Sequence, residues 1–149
     1  MDNLASFGHI IPELVLGGTA VVVLLLSAAA RRPRPWQGFV FPGLTLAGLA
    51  AALLWLLTTS PASDPGCGTG GCSLFFGLLA ADPLSHFFRA LVIAATGVGV
   101  VLSLGSPSLP GDRRGEYHGL LLILAMGMCL LAGASHLLMI YVAMETVSL

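Results

Sequence analysis

Four stretches of this chain stay apolar long enough to cross a lipid bilayer, and no other feature constrains the fold as tightly. A helix rises about 1.5 Å per residue, so roughly 20 apolar residues cross a hydrocarbon core about 30 Å thick. Residues 10–30, 38–59 and 84–104 qualify, and 117–134 qualifies at the short end. A fifth run, 137–149, reaches only about 20 Å and reads as a truncated span. Backbone polar groups in lipid must be satisfied within their own segment, which favours helices. The expectation is an all-α integral membrane protein with one membrane domain over residues 1–149, a long loop over 60–83, and five helices of which the fifth is incomplete.

Composition supports this class. With 56% hydrophobic and 9% charged residues, a chain of 149 has too few polar groups to clothe a water-soluble globule. Six Arg, no Lys and a net charge of −1 provide no clustered basic face of the kind that binds nucleic acid. The first nine residues contain no Lys or Arg and therefore lack the basic region of a secretory signal, so the first apolar run is expected to remain in the membrane.

Lys and Arg in short loops are retained on the cytoplasmic side. The first loop carries Arg31, Arg32 and Arg34, the second only Asp64 and Asp82, and the third Arg113 and Arg114. This alternation predicts an external N-terminus, with loops one and three inside and loop two outside. Asp82 followed by Pro83 reads as an N-cap and first helical residue opening the third helix.

An ionisable side chain inside a span is costly unless partnered, so each one is a candidate for function. Glu13, in IIPELVLGG, and Arg89, in DPLSHFFRAL, fall at comparable depth near the outer ends of helices one and three. Either Arg89 snorkels outward or the two form a structural ion pair; a role in moving charge is the alternative. Glu145 lies about 12 Å along the last run, too deep to reach a headgroup. It must face a partner helix or a hydrated cavity, as a proton relay requires, or else be wetted and inert through a break or a peripheral position.

His9, His86, His118 and His136 are scattered singly, which argues against a metal site. His136, at the turn between helices four and five, is either an interfacial turn residue or a proton access group for a channel. Cys67 and Cys72, in the external loop, either form a small disulfide or remain free thiols, and Cys129 reads as a packing residue. Gly127, Ala134 and the small residues of TGVGVVLS permit close helix packing, which points to a multi-helix bundle.

The run GEYHGLLLILAMGMCLLAGASHLLMIYVAMETVSL resembles helices four and five of the antiporter-like, proton-translocating subunit family of respiratory complex I, in particular subunit N of bacterial NADH-quinone oxidoreductase. The shared features are an aromatic start after Glu116, the Gly127-Met128 notch and the E-x-x-S-L ending. IIPELVLGG and ADPLSHFFRAL resemble the family's first and third helices in the same order. The resemblance implies the start of an antiporter-like bundle in a bacterial inner (plasma) membrane, assembled with other membrane subunits of the complex. It implies that Glu145 is the carboxylate of a Glu/Lys relay pair for protons driven by quinone reduction. It also implies that this chain binds no cofactor of its own, NADH, FMN, iron–sulfur clusters and quinone being held by other subunits.

The departures are specific. Family members continue well beyond this length through inverted repeats that begin at helix four. The partner lysine is absent, and Ser135-His136 stands where Asn or Asp is more usual. The alternatives are a structural or assembly membrane protein without transport activity, or a subunit of an Mrp-type antiporter or membrane-bound hydrogenase.

Overall fold

Spacing of three and four residues selects one face of each long helix for burial. On helix α1, Ile11–Ala29, the buried face is Glu13, Leu16, Ala20 and Val23; on α3, Pro83–Leu104, it is Ser85, Arg89, Ile93, Thr96, Val100 and Ser103. Leu49, Ala52 and Leu56 line the inward face of α2, Gln37–Thr58, and Leu122, Ala125 and Cys129 that of α4, Arg114–Ala132. Outward positions are equally apolar: Leu14, Val21 and Leu25 on α1, Leu54 and Leu57 on α2, and Leu91, Val98 and Leu102 on α3 are all exposed. A helix apolar on every face suits lipid rather than water. Four helices are long and apolar enough to cross a membrane, and a shorter apolar helix, α5, Leu137–Ser148, follows them. These arrangements come from a computed structural model that describes residues 8–29, 37–59, 72–74, 77–105 and 113–148. The fold class is therefore all-α and membrane-embedded, as the apolar runs predict.

Helix α4 is central, packing on each of the other four helices and sharing its largest interface with α1. Two glycines of α4 permit this approach. A Cβ at Gly119 would stand 2.6 Å from the Leu24 side chain, and one at Gly115 would stand 2.6 Å from Ser27. Such small-residue contacts let helix backbones come together where no hydrophobic driving force separates lipid from protein. Helix α5 packs on α4 in the same way, with Thr146 and Val147 over Gly127.

Local chemistry sets the helix starts. Asp82 caps α3: Ser85 N donates to Asp82 Oδ1 at 2.8 Å, Asp82 N donates back to Ser85 Oγ at 3.2 Å, and Pro83 fills the first helical position. The hydroxyl and amide of Ser85 hold the Asp82 carboxyl below the usual carboxylate range. Helix α4 begins at Arg114, earlier than the expected Tyr117, because Gly115 and Glu116 continue the helical turn.

Within the 60–83 loop lies one element that the apolar runs do not foreshadow. Strand β1, Cys72–Leu74, pairs antiparallel with β2, Leu79–Ala81, in the register Cys72 to Ala81. This hairpin is fastened to the α4–α5 turn: Ala80 N donates to Gly133 O at 2.7 Å, Ser135 N to Leu78 O at 3.1 Å, and Ser135 Oγ to Gly77 O at 2.6 Å.

Candidate functional site

The first turn of α1 and the second of α3 meet at the hairpin end of the bundle. Glu13 shares the inward face of α1 with Leu16, and Arg89 shares that of α3 with Ser85 and Ile93, so the helical repeat turns both charges into the core. Arg89 Nε lies 3.2 Å from Glu13 Oε1, and the side chains are 4% and 3% exposed. The structure thus brings these two sequence candidates together as a buried ion pair.

The pair is boxed in. Arg89 Nη1 donates to His9 O at 3.1 Å, and a Cβ on Gly133 would stand 2.5 Å from Nη2, so glycine at this turn makes room for the guanidinium. The Nε–H is not aligned with Oε1 for a hydrogen bond, and neither carboxylate oxygen, Nε nor Nη2 has a hydrogen-bond partner among the described residues. Attraction between charges, rather than directed hydrogen bonding, therefore joins the two residues. A narrow cleft bordered by His9, Trp55, Asp82, Ser85, His86 and Arg89 holds about 10 Å³ of open space, about enough for one water molecule.

Glu145 occupies a different setting. Helix α5 presents Ala143 to the bundle and leaves Leu137, Leu138, Tyr141, Val142, Met144 and Glu145 exposed. Glu145 is not joined to Glu13 or Arg89. Its face of α5 is covered by no other described element of this chain.

His136 sits at the N-cap of α5. Its Nδ1 accepts from Leu138 N at 3.3 Å, and its carbonyl accepts from Met139 N and Ile140 N, so the side chain closes a helix start. Cys67 lies outside the described residues, as does the Cys72 side chain, and the disulfide expectation falls there. So do Arg31, Arg32 and Arg34 of the first loop and Asp64 of the second. Cys129 is a buried free thiol packed in the core. No three potential metal-ligating side chains gather among the described residues.

A second polar cluster went unrecognised in the sequence. His118 on α4 is 1% exposed; its Nδ1 lies 2.6 Å from Arg114 O and its Nε2 lies 3.2 Å from Ser103 Oγ on α3. The usable signal was depth, since Ser103 and His118 each stand within about a turn of the same helix connection.

These features define a multi-pass α-helical membrane chain with charge buried in its core and an acid on an uncovered apolar face. No family model matches it. NADH-quinone oxidoreductase subunit N 2 of Sorangium cellulosum is 36% identical to it over 155 residues, covering 99% of this chain and 29% of the relative. Subunit N of Anaeromyxobacter is 32% identical over 148 residues, covering 99% and 27%. NAD(P)H-quinone oxidoreductase subunit 2 of Gloeobacter violaceus is 32% identical, covering 95% and 26%. The chain is homologous along nearly its whole length to the subunit N family of NADH-quinone oxidoreductases, and it spans less than a third of the length of these relatives.

Proposed function

We propose that this chain is a membrane-embedded part of an NADH-quinone oxidoreductase and contributes to proton translocation coupled to quinone reduction, with Glu145 as a carboxylate of the relay. The observation that carries this reading is the setting of Glu145, an acid two turns into an apolar helix on a face that no described element of this chain covers. Such a group is stable in a bilayer only when a cation, a polar helix or a hydrated path faces it. The relatives' names support the assignment to a quinone oxidoreductase.

In this reading the chain sits in a bacterial plasma membrane among other membrane subunits, and the cation facing Glu145 comes from beyond these residues. NADH, flavin, iron–sulfur clusters and quinone belong to other subunits, and this chain's part is to hold and pass a proton. The Glu13–Arg89 pair, enclosed by His9 and Gly133, is structural, each charge compensating the other in the core, and takes no part in moving protons. The test is coupled NADH:quinone reduction in membranes that contain the intact complex with Glu145→Gln. The expected result is normal assembly with a turnover loss of tenfold or more; normal assembly with unchanged turnover would remove Glu145 from the relay.

A further inference from the structure

The bundle end opposite Glu13 and Arg89 contains a buried histidine whose two ring nitrogens both face oxygen. His118 Nδ1 lies 2.6 Å from the backbone carbonyl of Arg114, which can only accept, so Nδ1 carries a hydrogen in every protonation state. The titrating atom is therefore Nε2, 3.2 Å from Ser103 Oγ. Ser103 has one hydroxyl hydrogen, and the carbonyl of Val100 lies 2.6 Å from the same oxygen. With a neutral imidazole, that hydrogen serves Nε2, and Val100 O keeps the backbone hydrogen bond it receives inside helix α3, which runs on to Leu104. With an imidazolium, Nε2–H donates to Ser103 Oγ, Ser103 donates to Val100 O, and every group in the cluster is satisfied.

We infer that His118 and Ser103 form a proton-binding site at the α3–α4 end of the bundle, with Nε2 taking and releasing the proton and the Ser103 hydroxyl swivelling to match. A proton arriving from water adds to the Nε2 lone pair, and the hydroxyl hydrogen turns from Nε2 to Val100 O. No bond between heavy atoms forms or breaks.

The surroundings suit such a site. His118 is 1% and Ser103 7% exposed, yet both stand within about a turn of their helix ends, so water lies only a few ångströms away. The Tyr117 ring meets the imidazole edge to face at 5.3 Å. Among the described residues, the charged or titratable groups nearby are Arg113, Arg114, Glu116 and Tyr117, of α4 and the residue before it. Helix α2 contains no titratable residue, Glu13 lies at the far end of α1, and His86 and Arg89 lie at the far end of α3, each some 20 Å away along the helix axis. The site's use in transport rests on the translocation reading, whereas its capacity to bind a proton does not.

The test is ¹⁵N NMR of the full chain, labelled at histidine, in a lipid bilayer, with the His118 signals assigned by their loss in His118→Gln. The expected result is an Nδ1 that stays protonated throughout while Nε2 gains a proton between about pH 8 and pH 5. In Ser103→Ala the proton affinity of Nε2 should fall about tenfold, because the charged form loses its acceptor. A ring that stays in one neutral form across that range, or that carries its hydrogen on Nε2 alone, would overturn the proposal, and the wild-type titration decides this even if the serine variant does not fold. Titration at Nε2 together with normal assembly and unchanged turnover in Glu145→Gln would leave the site standing and remove Glu145 from the relay.

Discussion

Replacing Arg89 by Met should destabilise the chain far more than replacing Arg89 and Glu13 together. Two unit charges 3.2 Å apart attract by about 5 kcal/mol at an effective dielectric constant near 20. Desolvating each ion costs several kcal/mol, so the intact pair contributes little net stability. Removing the guanidinium leaves the Glu13 carboxylate 3% exposed with no cation beside it, and that imbalance should cost about 3–5 kcal/mol. The loss of the hydrogen bond to His9 O adds about 1 kcal/mol. Glu13→Leu should cost a similar amount, since it strands Arg89. The double variant, Glu13→Leu with Arg89→Met, returns apolar groups to an apolar core and should fall within about 2 kcal/mol of the wild type. The assay is reversible unfolding of the chain in mixed micelles, followed by circular dichroism and analysed as a double-mutant cycle. Single variants that each cost under about 1 kcal/mol, or a double variant equal to the sum of the singles, would show that Glu13 and Arg89 do not depend on each other in the core.

Three further outcomes follow from the packing and caps. Gly119→Ala should cost about 1–3 kcal/mol despite alanine's higher helix propensity, because its Cβ meets Leu24, whereas Gly99→Ala, with open space around it, should be neutral or stabilising by up to about 1 kcal/mol; thermal unfolding of both separates the effects. Asp82→Ala should lose about 1 kcal/mol near neutral pH through the missing cap. The Asp82 carboxyl is held below its usual range, so its contribution is complete above about pH 4 and disappears as pH falls through the folded-state value; the gap between wild type and variant should close in that window. Ser135→Ala should loosen the hairpin, and faster hydrogen exchange at the Ala80 and Ser135 amides would report it.

The apolar runs made the helices legible, because in lipid hydrophobicity alone determines which segments span, and the Asp82-Pro83 pair marked the start of α3. The depths of Glu13 and Arg89 also pointed to each other, since both lie near helix starts at one end of the bundle. Other features depend on contacts that no local pattern encodes. The hairpin is two strands of three residues each, stabilised by backbone bonds to the α4–α5 turn rather than by side-chain alternation. Gly133 reads as a helix stop, and its second role, admitting Arg89, arises only when α3 packs beside that turn. His118 looked like one of four scattered histidines because its partner Ser103 lies on another helix. The cap that the His136 ring nitrogen gives α5 depends on the local backbone geometry of the α4–α5 turn, which the residue's position in the sequence does not disclose. The depth of Glu145 leaves a relay and an inert position open, and the resemblance of the run around it singles it out; its surroundings within this chain are an open apolar face.

Whether Glu145 carries protons is measured most directly as the proton yield per quinone reduced. Intact complex reconstituted into vesicles would be compared as wild type, Glu145→Asp and Glu145→Gln, with dye quenching and NADH oxidation recorded on the same sample. Glu145→Gln should lower proton uptake by tenfold or more, and Glu145→Asp, which keeps the titratable carboxyl, should retain most of it. Equal proton yields for wild type and Glu145→Gln in an assembled complex would show that Glu145 does not carry protons.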